Sequence, residues 1–183
     1  GVTLECLSQS AARRSGPETW LALGWNKATR RGWLLEKAVE LDACGILFWN
    51  ACRSQGDMPA QVKDSWRAQM IAGAKQSRNP FVPRLEMIPG GAQGLALRCE
   101  GMDDRWLLWE APDVGRVLSP ADLNVGPRRV FVLGPEGGIT QAEADTLSGA
   151  GFCAVTLGPR PLRWETAALL CLGLGWWAAD NRN

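Results

Sequence analysis

Four consecutive large apolar residues, Ile46-Leu47-Phe48-Trp49, leave this chain few architectures to choose from. A strand covered on one face alternates apolar with polar residues, so a run that is apolar at every position must be buried on both faces. Segments of helical period bracket it. Residues 29–41 carry Trp33, Leu34, Ala38 and Leu41 at helical spacing, and 62–77 place Trp66, Met70 and Ala74 in one row with no proline before Pro80. Strand-like runs recur at 19–25, 84–88, 106–109, 130–133 and 152–157. Between the third and fourth of these, Pro112, Pro120 and Pro127 predict a loop with one turn of helix. A capping box, Thr140-Gln141-Ala142-Glu143, opens a helix that ends near Gly149 or Gly151, and 165–179 form the last one. Strands alternating with helices predict an α/β domain over 19–183, with a mostly parallel sheet flanked by helices. Residues 1–18 read as a linker or the remnant of something upstream, and the start at Gly1 rather than Met is that expected of a trimmed or processed piece.

The chain has no histidine, which removes Ser-His-Asp and Cys-His relays, HExxH zinc sites and any imidazole proton shuttle. Acid–base chemistry must then use carboxylates, Lys, Cys or the substrate itself. Twenty Lys and Arg against nineteen Asp and Glu leave a formal charge of +1, so nucleic acid could be met only through a local basic patch. The six cysteines form no CxxC pair, and most lie in apolar runs such as Leu169-Leu170-Cys171-Leu172. Buried free thiols in a reducing compartment, with no metal, are expected. There is no secretory signal, and the longest apolar run, 167–179, has 13 residues, too few to span a bilayer. A cytoplasmic protein without membrane contact follows.

The last third carries the chemistry. Leu133-Gly134-Pro135-Glu136-Gly137-Gly138 follows one strand and precedes the capped helix. Leu157-Gly158-Pro159-Arg160-Pro161-Leu162-Arg163 follows the next strand and precedes the last helix. In parallel α/β sheets ligands bind beyond the carboxyl ends of strands. Glycines there admit a ligand close to the main chain, and prolines stiffen the loop. Neither loop fits a GxxxxGK[ST] or GxGxxG phosphate cradle. A single such loop is an ordinary strand-to-helix connection; two of them, both charged, indicate a site.

These two loops, with the second continuing into Trp164-Glu165-Thr166-Ala167, resemble the GPEGG and LGxRILRxETA signatures of RsmE-type methyltransferases of the SPOUT superfamily. Lys27 followed by Glu36-Lys37-Ala38-Val39-Glu40-Leu41, the pair Arg53-Ser54, and Ala74-Lys75-Gln76-Ser77-Arg78 resemble earlier family segments, so the likeness covers about 19–180. Three departures stand out. Pro161 replaces an aliphatic residue, Asp42 a glycine, and Trp164 a smaller side chain.

The resemblance implies a SPOUT domain with a C-terminal trefoil knot, an exception to the usual absence of knots. It implies S-adenosylmethionine as cofactor and methylation of N3 of a uridine in 16S ribosomal RNA. The partners are then ribosomal RNA or the small ribosomal subunit, and a second copy of the chain, with the apolar last helix as an interface element. Cofactor contacts are expected from Trp109, Glu110, Leu133, Gly134, Pro135, Glu136, Gly137, Gly138, Leu157, Gly158, Leu162 and Arg163. Arg163 is the candidate for stabilising charge on the uracil, and Glu136 or Glu165 the candidate proton acceptor. Arg31, Arg53, Arg78 and Arg160 are candidate RNA contacts. The tryptophans Trp20, Trp49, Trp66 and Trp106 are assigned to the core and Trp164 is set apart from them. An upstream PUA-like barrel, usual in the family, would precede residue 19. A cofactor- or RNA-binding dimer without catalysis, and a SPOUT enzyme acting on another nucleotide, are the alternatives.

Overall fold

A computed structural model describes residues 1–3, 5–8, 11–14, 16–27, 29–110, 115–124 and 126–180. Six strands form one sheet: β1 (Glu18–Gly24), β2 (Gly45–Trp49), β3 (Arg84–Ile88), β4 (Asp104–Leu108), β5 (Arg128–Leu133) and β6 (Cys153–Val155). Their order is β3-β2-β1-β5-β4-β6, and every pairing is parallel. Among the described residues four α-helices lie between strands, α1 (Arg31–Glu40), α2 (Asp64–Ser77), α3 (Gly91–Arg98) and α4 (Gln141–Gly149), and a fifth, α5 (Trp164–Asp180), follows β6.

Side-chain alternation divides the core in two. Leu21, Leu23, Ile46, Phe48, Phe131 and Leu133 face α1, α2 and α5, where Leu34, Leu35, Ala38, Val39, Trp66, Met70, Ala168, Cys171 and Leu172 are buried against them. Trp20, Ala22, Leu47, Trp49, Val130 and Val132 face the other way, onto Ala92 and Leu95 of α3 and Ala144 and Leu147 of α4. This is a three-layer sandwich, and the continuously apolar β2 is buried at all five positions, as a strand covered on both faces must be.

Several expectations need adjustment. The buried stripe of α1 is Leu34, Leu35, Ala38 and Val39, while Trp33 stays 45% exposed. Residues 91–98, read as no element, form α3. The strand expected over 152–157 is only the three residues of β6, extended by a single bridge between Val117 and Thr156. The proline-rich stretch holds one 3-10 turn, Pro120–Asn124, and Pro112 lies outside the described residues. Of the cysteines, Cys99 and Cys171 are buried but Cys6 and Cys52 are exposed. Burial pushes the Cys99 thiol up to about 11 and raises that of Cys171 as well, so both stay protonated. Among the described residues no helix is long and apolar enough to cross a membrane.

Candidate active site

The pocket lies where β4, β5 and β6 end. Leu108, Trp109 and Glu110 form one wall. The loop from Leu133 to Ile139 forms a second, and Val155 to Gly158 with Arg160 and Leu162 a third. Trp164 and Ala167 of α5 close the side, and Arg53 reaches in from the loop after β2. The volume is about 350 Å³, within the range of roughly 300–1,000 Å³ that holds small ligands.

Local sequence fixes these walls. The loop after β5 packs against the end of β1 at Gly24, where a Cβ would lie 2.4 Å from the Pro135 nitrogen and 2.5 Å from its Cδ. Only glycine permits that approach. Inside the second wall the Gly138 N–H donates to the Pro135 carbonyl at 2.8 Å, closing a turn in which Gly138 has φ +78. The Trp49 indole, buried in the core, donates to the Leu133 carbonyl at 3.3 Å and holds the root of the loop. The Thr140 capping box then starts α4 immediately after the turn. On the third wall Thr156 donates its N–H to Arg116 O and accepts from Leu118 N–H, both at 2.9 Å, while its hydroxyl bonds Gly158.

Of the expected cofactor contacts, Trp109, Glu110, Leu133, Gly134, Pro135, Glu136, Gly137, Gly138, Leu157, Gly158 and Leu162 all line this pocket. Arg163 is exposed and lies outside the lining. The two glutamates part company. Glu136 is exposed on the pocket wall, whereas Glu165 faces Arg30 at 3.5 Å and does not line it. The sequence did not single out Leu108, Ile139, Val155, Thr156, Trp164 and Ala167 as lining residues; only their places beside the expected segments could have suggested them. Trp164, set apart from the core tryptophans, is itself 7% exposed and packs in the core beside the pocket.

The four candidate RNA arginines also separate. Arg53 and Arg160 are exposed at the pocket. Arg31 sits in an aromatic cage, its guanidinium carbon 4.0 Å from the Trp25 ring centroid, 5.2 Å from Trp66 and 5.7 Å from Phe48. It donates to the Asn26 carbonyl, and burial lowers its proton affinity. Arg78 caps the carboxyl end of α2 in a left-handed conformation, φ 55. Because α2 runs from the end of β2 back to the start of β3, Arg78 stands at the opposite end of the sheet from the pocket.

The model of the RNA methyltransferase domain family matches residues 14–176. Ribosomal RNA small subunit methyltransferase E of Bacillus subtilis is 31% identical over 164 residues, covering 85% of this chain and 64% of its own length. The crystal structure of a ribosomal RNA small subunit methyltransferase E from Neisseria gonorrhoeae, bound to S-adenosyl methionine, superposes with a TM-score of 0.70 at 27% identity, over 87% of this chain and 65% of that one. The SpoU methyltransferase AviRb from Streptomyces viridochromogenes, in complex with AdoMet, shares only 13% identity but reaches 0.55 over 90% of this chain and 61% of its own, a likeness of fold alone. A parallel six-stranded sheet with its pocket beyond β4, β5 and β6 is thus a SPOUT-type methyltransferase fold. The chain belongs to the RNA methyltransferase domain family. It spans under two thirds of the length of the curated relative from Bacillus subtilis.

Proposed function

We propose that this chain is the catalytic domain of an S-adenosylmethionine-dependent methyltransferase that acts on N3 of a uridine in 16S ribosomal RNA. The observation that carries the reading is the pocket, walled by the two Gly-Pro loops beyond the ends of β5 and β6, the strands on either side of β4, with Glu136 on its wall. Its size and its main-chain lining suit S-adenosylmethionine. Exposed N–H and C=O groups can read a purine edge, and a Cβ built on Gly158 would meet nothing within 4 Å, leaving open space beside the loop.

When bound, the sulfonium supplies an activated methyl group, so no nucleophile or metal-bound hydroxide is asked of the protein. The residues align and neutralise. Glu136 accepts the N3 proton of the uridine, and Arg163 offsets the negative charge that grows on the uracil oxygens. Arg53 and Arg160 hold RNA phosphates at the pocket mouth. The residues before β1 link to an upstream PUA-like RNA-gripping domain, in keeping with the greater length of the Bacillus subtilis relative. Self-association through α5 belongs to the same reading, since Leu170, Trp176 and Trp177 leave 40%, 48% and 52% of their surface uncovered. So do the C-terminal knot and a cytoplasmic location beside the ribosome.

The test is transfer of labelled methyl from S-adenosylmethionine to 16S RNA or small subunits by the protein in its full length, followed by mapping of the modified base. N3-methyluridine is expected. Cofactor binding without transfer would defeat the enzyme reading, and methylation of another base or RNA would defeat the specificity.

A further inference from the structure

Two adjacent residues after β2 tie that loop to the one after β5, and a single buried carboxylate organises the tie. Glu143, 9% exposed, accepts the Cys52 N–H on Oε1 at 2.6 Å. Its Oε2 accepts from the Thr140 N–H at 2.9 Å and the Thr140 hydroxyl at 2.8 Å. One residue beyond Cys52, the Arg53 guanidinium donates to the Gly137 carbonyl at 2.9 Å. The contact is close along its length, because a Cβ on Gly137 would lie 3.0 Å from the Arg53 Cβ. The 51–54 turn is itself closed by Ser54, whose N–H donates to Ala51 O at 3.0 Å and whose hydroxyl accepts the Ala51 N–H at 2.9 Å.

A capping glutamate needs only the N–H of its own N-cap residue. Glu143 has a second oxygen aimed 91 residues away in sequence, at the loop that carries Arg53. We propose that Glu143 is a positioning residue for the pocket: its carboxylate fixes the Cys52 main chain so that Arg53 clasps Gly137 and holds the Glu136-bearing wall in place. Charge-assisted bonds to a buried carboxylate are among the stronger ones available to a loop. Each bond restrains one side of the same contact, so breaking either frees both loops.

Ligand binding under this inference rests on the proposed function, but the clasp does not need the ligand to be tested. Glu143→Asp keeps a negative charge in the first turn of α4 while shortening the side chain, so it can no longer span Thr140 and Cys52 together. In hydrogen exchange on the ligand-free protein, Glu143→Asp and Arg53→Ala should each speed exchange in both 51–54 and 134–138 by about tenfold. The double variant should open them no further, since the two residues act through one contact. Exchange changes confined to 140–146, or additive effects in the double variant, would overturn the clasp and leave Glu143 a helix cap. In calorimetry, Glu143→Asp should weaken S-adenosylmethionine roughly tenfold at a temperature well below melting. Equal affinity in variant and parent would overturn the link to the pocket. A parent protein that binds no S-adenosylmethionine, with the exchange result as expected, would uphold the clasp and defeat the cofactor reading instead.

Discussion

The carboxylate of Glu165 lies 3.5 Å from the Arg30 guanidinium, joining the first turn of α5 to the residue before α1. An acid committed to that pair, outside the pocket lining, is poorly placed to take a proton from a substrate. Among the described residues Glu136 has no ion-pair partner within 4 Å, and it lines the pocket. Glu136→Gln is therefore expected to lower kcat by about 10²–10⁴-fold with far less effect on cofactor affinity. Glu165→Gln should leave kcat within a few-fold and cost only about 0–1 kcal/mol of stability. Steady-state methyl transfer and urea denaturation on both variants decide the assignment; the reverse pattern would hand the role to Glu165.

Gly24→Ala tests how tightly the second wall is built. Its methyl would meet the Pro135 ring and the main chain of Gly134 at less than 3 Å, and neither is a flexible side-chain tip. Relief requires the loop to move away from β1. Destabilisation of about 1–3 kcal/mol is expected, together with loss of the thermal shift that saturating S-adenosylmethionine gives the parent protein. Retention of that shift would show the loop can yield without harm to the pocket.

Arg31 and Arg160 should behave differently toward RNA. Arg160→Ala removes an exposed cation at the pocket mouth, and is expected to lower the slope of log binding constant against log salt by about 1. Arg31→Ala empties the cage of Trp25, Phe48 and Trp66 and should lower Tm while leaving the salt slope unchanged. Filter binding across a salt series, paired with thermal melts, checks both.

Stability should fall in acid partly through one pair on the outer edge of the sheet. Arg98 donates to both oxygens of Glu86 at 2.7 Å, and these bonds hold the Glu86 carboxyl below its ordinary value of 4.5. A carboxylate with a lowered folded-state value stabilises above its unfolded value, and that contribution fades as pH falls through the folded one. Both side chains are about one-third exposed, so the effect is modest. Glu86→Gln should lower stability at pH 7 and shrink the loss between pH 7 and acid below about 4. Identical acid limbs in urea titrations of parent and variant would exclude the pair.

What the sequence disclosed, and what it withheld, follows from the range of the interactions. β2 was legible because a fully apolar run has one common explanation, and α4 because its capping box is complete within four residues. α3 was not legible. Gly90, Gly91 and Gly94 weaken any helical reading, yet Gly94 is there because a Cβ would fall 1.9 Å from the Pro89 carbonyl oxygen. The stripe on α1 was misjudged because Trp33, apolar enough to be drawn into the core, points outward instead. Within the site, the loops announced themselves by local composition. The bond from Cys52 to Glu143 could not, since the capping box accounts for Glu143 locally and Cys52 lies 91 residues away, and neither could the Arg31 cage, whose rings come from the loop after β1, from β2 and from α2.

The strand order has a consequence for synthesis. β4 pairs only with β5 and β6, both of which leave the ribosome after it. β1, β2 and β3 can assemble as they emerge, but residues 104–108 must wait, with an apolar Trp106-Leu107-Leu108 edge and no neighbour to take it. β5 joins the two parts of the sheet by inserting between β1 and β4, β6 then adds at the edge beside β4, and the third wall of the pocket arrives with residues 155–162. A chain ending before residue 153 can hold much of the core and still lack β6 and the third wall of the pocket, so the pocket closes only after the central strands are in place.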